Sequence, residues 1–382
     1  MRKVGVAERR ARLVQRHFVT ATHPVPVAEA LVALHSSDPV TVFLSLRARM
    51  KSPTVDAIER ALYDERSLVR ILGMRRTLFV VPADLVPVVF ASSTRAIAVR
   101  ERKRVVAMVE GAGIAKDGPR WVRKAEADTM QALEARGEAA AAELSREVPQ
   151  LREKVTMGEG KKWGGEFALS TRILWLLAMD GRIVRGRPRG SWISGQYRWS
   201  PMEAVPAVPV EEARAELVRR WLWAFGPATV ADLKWWTGWT LGETRKALTT
   251  VGPADVDLDG EPGIVLADDD KPVRPPKPSL ALLPALDPTV MGWAERDWYL
   301  GEHGPALFDR NGNAGPTVWW GGRVVGGWAQ RKDGEIAYRL LEDVGVDAVK
   351  AVEAEAERLK RWLGDVRFTP RFNGPLGREL AA

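Results

Sequence analysis

The stretch Leu68-Val69-Arg70-Ile71-Leu72-Gly73-Met74-Arg75-Arg76-Thr77-Leu78-Phe79-Val80-Val81-Pro82 decides the fold class. Two β-prone runs, 68–72 and 77–81, flank a segment opened by Gly73, which is the pattern of a two-stranded hairpin. What precedes it reads as helix. Asp38-Pro39 is a capping residue followed by proline in the first turn, opening a helix over 40–50 that buries Val42, Phe43 and Leu46. Ser52-Pro53 repeats the start signal for 54–63. Further upstream, 8–17 carries a helical stripe of Ala11, Leu13, Val14 and His17, and 27–34 continues after the break at His23-Pro24. Short helices followed by a hairpin predict a winged helix.

The same order recurs twice downstream without close identity. Residues 121–136, 139–148 and 165–179 read as helices, followed by strands at 182–184, 192–193 and 196–199 around the loop Arg185-Gly186-Arg187-Pro188-Arg189-Gly190. A third copy places helices at 211–225, 230–236 and 241–249, with a hairpin of 254–258 and 263–266 turning at Asp259-Gly260. Composition shifts at the proline-rich connector Lys271-Pro272-Val273-Arg274-Pro275-Pro276-Lys277-Pro278, which is stiff and irregular. Beyond it, strands at 280–283, 317–320, 323–328 and 335–339, a helix over 346–363 and a short strand at 366–368 predict a small barrel with one helix. The expected class is α+β, with units at 1–105, 106–205, 206–270 and 271–382.

Composition narrows the function. A chain of 382 residues that is 46% hydrophobic has ample material for cores. It contains no cysteine, which excludes disulfides and thiolate metal sites. Met1-Arg2-Lys3-Val4-Gly5 lacks the apolar run of a signal peptide, and the longest apolar runs are too short to cross a bilayer, so the expected location is the cytoplasm. A formal net charge of +8 favours a polyanionic partner without specifying it.

Tandem winged helices with excess positive charge point to duplex DNA, where a helix enters the major groove and the wing meets phosphates. Winged helices also serve as protein-interaction modules. Arg182, Arg185, Arg187 and Arg189 decorate one wing and suit phosphate or minor-groove contact, against the plainer reading of a solvated loop. Arg95, Arg100, Arg102, Lys103 and Arg104 form a second basic run that solubility explains equally well. Most of the 16 tryptophans belong in cores. Trp319-Trp320 beside Gly321-Gly322 is the pair that a hairpin tip could wedge into a base stack, with packing as the alternative.

Familiar catalytic constellations are absent. The four histidines, His17, His23, His35 and His303, have no metal-ligand spacing, and Gly321-Gly322-Arg323-Val324-Val325-Gly326-Gly327 lies between strands with no following helix, so it is not a nucleotide loop. No metal or cofactor is expected. Leu34-His35-Ser36-Ser37-Asp38-Pro39 remains, where an imidazole, two hydroxyls and a carboxylate meet at a helix junction. Its local reading is that Ser37 or Asp38 caps the next helix and His35 packs.

These phrases carry a family resemblance. Leu31-Val32-Ala33-Leu34, Met74-Arg75-Arg76-Thr77, Leu282-Leu283-Pro284 with Asp287-Pro288, Gly315-Pro316-Thr317 and Gly326-Gly327-Trp328 resemble the winged-helix DNA glycosylases related to the azinomycin-resistance enzyme, over nearly the whole chain. The resemblance implies three tandem winged helices and a β-barrel forming a C-shaped clamp on duplex DNA, and removal of bulky alkylated purines or unhooking of interstrand crosslinks. The best-studied members of that family carry Gln-x-Gln directly after a leucine in the first winged helix, near the lesion. Here the matching residues are His35-Ser36-Ser37. The resemblance therefore implies a divergent branch, with His35 accepting a water's proton at its ordinary pKa near 6.5 and Ser37 orienting that water. Asp38 is added on position alone, as a stabiliser of the sugar cation. With no lysine in the loop, a monomeric, monofunctional glycosylase is expected, with Arg75, Arg76 and the Arg182, Arg185, Arg187 and Arg189 wing on DNA.

Overall fold

The computed structural model describes residues 1–158, 160 and 164–382. Three three-stranded sheets follow three groups of helices. In the first group Val6–His17, Pro24–Ala30, Pro39–Arg47 and Val55–Glu59 lead into strands Leu68–Leu72 and Leu78–Pro82. The wing has three strands where the sequence predicts two, because Leu34–His35 pairs antiparallel with Val80 and Phe79. The helix expected over 27–34 stops at Ala30, and Val32 turns to a positive φ of 64°, which ends a helix and frees Leu34 to join the sheet.

The second group differs from expectation in two places. Residues 165–179 do not form one helix. Gly165–Ala168 pairs with Lys154–Met157 as a separate hairpin, and the helix proper runs Ser170–Met179. Trp192-Ile193 lies in a turn rather than a strand, and Trp192 packs on Phe43 of the first group at 4.8 Å. The wing pairs Ile183–Pro188 with Tyr197–Pro201, and Ala139–Ala140 adds the third strand. A long helix, Arg95–Gly111, carries the second basic run and packs on Gly118–Arg136 and Ser170–Met179. The third group matches closely, with helices Val210–Phe225, Val230–Thr237 and Leu241–Val251 and a hairpin Ala254–Leu258 with Glu261–Val265. Its third strand is Arg2–Lys3, parallel to Val256 and Asp257.

The last part is a four-stranded antiparallel meander, Leu280–Leu283, Thr317–Trp320, Arg323–Gln330 and Ile336–Leu340 in spatial order. The expected barrel does not close. The segment 366–368 is no strand; instead Gln330 holds it, donating from Nε2 to the Val366 carbonyl and accepting at Oε1 from the Phe368 N–H. The open sheet is covered by Val346–Leu363, whose Val352 and Leu359 pack with Trp328 and Val325. One apolar core joins the inner face of the first wing, through Ile71, Phe79 and Val81, to Trp221, Phe225 and Trp236 of the third group and Trp319 of the meander. Among the described residues no helix is long and apolar enough to cross a membrane.

A buried polar junction fixes the first group on the meander. Arg49 donates two hydrogen bonds to Asp287 at 2.8 and 2.9 Å, Ser45 donates to Asp287 at 2.6 Å, and Thr41 donates to the Ala285 carbonyl. Burial alone would raise the Asp287 carboxyl, but Arg49, Ser45 and the Thr289 N–H hold it below the usual carboxylate range.

Candidate functional site

His35 lies on the edge strand of the first wing, on the face shared by its strand partner Phe79. Its ring meets Phe79 edge-on at 5.7 Å and Phe372 at 6.3 Å, and Nδ1 is buried without a hydrogen-bond partner. Burial, reinforced by the Arg75 charge, pushes its pKa down to about 4. This corrects the expectation of an imidazole near 6.5. The ring is neutral at neutral pH and is a weak base with a free nitrogen. Ser36 follows with its N–H on the Leu78 carbonyl and its hydroxyl buried and unpartnered. Ser37 is half-buried, and its carbonyl accepts from Arg371 Nη1 at 3.1 Å.

At Asp38 the capping role expected from the sequence is the one seen. One carboxylate oxygen accepts from the Val40 N–H as the cap of Pro39–Arg47, and the other accepts from the Arg371 N–H at 2.8 Å. A carboxylate taken up by two backbone donors is a structural cap, and it ties the C-terminal loop 369–373 to the first helical group. That loop brings Arg371 and Phe372 to the site, which the sequence reading missed because no local pattern marks them.

Arg75 and Arg76 form the turn of the first wing with consecutive positive φ angles of 53° and 59°. Each such residue stores roughly 1–3 kcal/mol of strain. The turn seats Arg75 4.3 Å over Trp235, whose ring also meets Arg296 at 4.9 Å. Burial and then Arg296 lower the Arg75 pKa, so the guanidinium sits beside His35 close enough to disfavour the imidazolium. Gly238, itself at φ 72°, permits the approach, since a Cβ there would lie 2.9 Å from Arg75 Cγ. Arg76 pairs with Glu101 at 3.3 Å. Both arginines border a cavity of about 280 Å³ with Arg100, Arg104, Arg214 and Trp239.

The second wing divides the four arginines predicted to face DNA. Arg182 and Arg189 are exposed, with Arg189 3.5 Å from Glu143. Arg187 is committed to Glu59 and Asp64, locking this wing onto the first helical group. Arg185 lies inward, 4.8 Å over Tyr197 and 5.2 Å over Trp199. The tryptophan wedge is corrected too. Trp319 is fully buried, donates from Nε1 to Thr317 and stacks on Tyr299 at 5.3 Å. Trp320 is half-buried against the core beneath the meander. The adjacent glycine turn is docked on the first helix, where a Cβ on Gly322 would lie 2.8 Å from the Arg10 carbonyl oxygen.

Helix-and-hairpin units with exposed guanidinium groups on their hairpins fit a DNA-acting class of protein. Residues 28–362 match the AlkZ-like DNA glycosylase family, and the chain belongs to that family. It is 29% identical over 213 residues to an interstrand DNA cross-link repair glycosylase of Streptomyces sahachiroi, covering 52% of this chain and 57% of the relative. That match spans less than two thirds of the relative's length. The solved structure of the Streptomyces sahachiroi DNA glycosylase AlkZ is similar in fold, with a TM-score of 0.71 at 21% identity, covering 97% of this chain and 99% of that one.

Proposed function

We propose that the chain is a monofunctional DNA glycosylase for bulky N7-alkylated purines in duplex DNA, of the self-resistance or repair type. The observation that carries the reading is His35, which combines a neutral ring with a buried, unpartnered Nδ1 at the position marked by family resemblance. A purine alkylated at N7 already bears positive charge, so it departs without protonation. The C1′–N9 bond breaks with its electron pair going to the base, leaving an oxocarbenium-like sugar. Water adds at C1′ and gives up a proton. Because the water-adduct of the sugar cation is strongly acidic, a weak base suffices, and His35 holds the water and takes the proton it gives up, passing it on to solvent. Ser37, beside it, supplies a hydroxyl to that water. The loop 34–38 contains no lysine for a Schiff base, which fits hydrolysis without strand cleavage.

DNA is held by Arg75, Arg76, Arg182 and Arg189, with the three helix-and-hairpin groups acting as winged helices in a clamp and the protein acting as a monomer. A very bulky adduct fits an open cleft better than a flipping pocket. The experiment compares wild type and His35→Ala on duplex DNA bearing a bulky N7-guanine adduct. Loss of a water-positioning group should lower base release by about 100-fold, and equal rates remove His35 from the chemistry. A binding-only protein is the second reading, favoured by the capped carboxylate of Asp38. It predicts duplex binding with no base release from any adduct.

A further inference from the structure

The least explained group in the molecule is Arg70, a charged residue in the middle of the apolar strand Leu68–Leu72. It is 4% exposed, and none of its three guanidinium nitrogens has a hydrogen-bond partner. Arg185 comes to meet it from the second wing. The two guanidinium groups lie 4.6 and 4.8 Å from the same Tyr197 ring, and Arg185 Nε is likewise buried and unpartnered. The Tyr197 hydroxyl is buried without a partner, and the buried Tyr63 hydroxyl lies beside the Arg70 guanidinium. Glu59, whose charge reaches Tyr63, and Asp64 are both taken by Arg187. Among the described residues no ion pair involves Arg70 or Arg185.

Two like charges buried together without an anion are costly, and proteins pair or hydrogen-bond such groups. Burial, then the Arg70 charge, pushes the Arg185 pKa down to about 10. Arg70 and Arg185 both border a recess of about 20 Å³, room for about one water-sized group such as a single phosphate oxygen. Arg185 also lines an open groove of about 510 Å³ with Arg189, Gln196, Tyr197 and Thr171. Arg185, with Trp175 and Trp199, borders both the recess and the groove.

We propose that Arg70 and Arg185, with the Tyr63 and Tyr197 hydroxyls, form an oxyanion site between the first two wings that takes a phosphate group, supplied by a phosphodiester of bound duplex DNA. The phosphodiester source rests on the DNA reading above; the phosphate site stands without it. Arg187 positions the second wing for this site by consuming the local carboxylates.

The test uses the full chain in thermal unfolding with excess inorganic phosphate or potassium chloride at matched ionic strength. Phosphate should raise the Tm of wild type by several degrees more than chloride, as a ligand of the folded state does, and Arg70→Met should abolish the difference. Equal shifts with both salts, or a phosphate shift that survives Arg70→Met, overturn the site. Arg185→Gln, nearer the groove, gives the same readout if Arg70→Met does not fold. For the source, wild type and Arg185→Gln are titrated with undamaged duplex across salt concentrations. Loss of about one unit from the slope of log affinity against log salt marks one lost phosphodiester contact. An unchanged slope, with the inorganic phosphate shift intact, overturns the phosphodiester and assigns the site to free phosphate. Absence of duplex binding by wild type with that shift intact sinks the DNA reading and leaves the oxyanion site standing.

Discussion

At the residue scale, burial decides the protonation of His17 and His35 more than any neighbour does. His17 is enclosed, with Nε2 donating to the Ala224 carbonyl and Nδ1 accepting from Thr289, and its pKa is pushed down to about 3 by burial and then by Arg49. His35 is held at about 4. Both values lie below the roughly 6.5 of an unfolded chain, so the unfolded state takes up protons first as the pH falls. The stability these rings contribute is full above about pH 6.5 and is lost progressively toward about pH 4 and below. Urea midpoints should therefore fall between about pH 7 and pH 4.5, and His35→Gln should flatten part of that fall. A midpoint constant over this window contradicts the assignment. Arg70 shows how a residue of consequence could have been found earlier, since a lone charge among Leu68, Val69, Ile71 and Leu72 is itself a signal. What it meets, Arg185 and Tyr197, lies more than a hundred positions away.

At the element scale, start signals are legible and short strands are not. Asp38-Pro39 opens a helix as its residue types predict, whereas the next helix is capped not at Ser52-Pro53 but at Thr54, whose hydroxyl accepts from the Ala57 N–H. The two-residue strand Leu34–His35 has no periodicity to read. It exists because Val80 and Phe79 offer an unpaired edge. The hairpin of Lys154–Met157 and Gly165–Ala168 was hidden for a related reason: 165–179 reads as a single run, yet Gly165–Ala168 is exposed throughout and only Ser170–Met179 is core-facing. The cap at Asp38 gives a prediction that separates structure from chemistry. Asp38→Ala should cost about 1 kcal/mol through the lost cap, with loosening of loop 369–373, while Asp38→Asn, which keeps an acceptor, costs less. Base release per folded molecule should stay within a few-fold of wild type for both, measured alongside urea unfolding. A loss as large as that of His35→Ala would return Asp38 to the reaction.

At the scale of the whole molecule, the first helical group is joined to the meander by the junction of Arg49, Asp287, Ser45 and Thr289. Removing one partner of such a buried pair leaves an uncompensated charge, so Asp287→Ala should cost about 3–5 kcal/mol in denaturant unfolding, more than a double replacement of Arg49 and Asp287 by apolar residues. A small, additive effect would show that the junction is not closed in solution. The sequence by itself determined most of the helices and three of the hairpins, in their order, because caps, prolines and hydrophobic period act over a few residues. It also marked the Leu34-His35-Ser36-Ser37 position through resemblance. Only the tertiary structure decided that the final sheet stays open, that Trp319 is core, that the Asp38 cap also holds loop 369–373, and that His35 is a neutral, weak base. Those properties depend on desolvation and on charges brought from other parts of the chain, Arg75, Arg371 and Phe372 among them, and burial is set by the whole fold rather than by any local stretch.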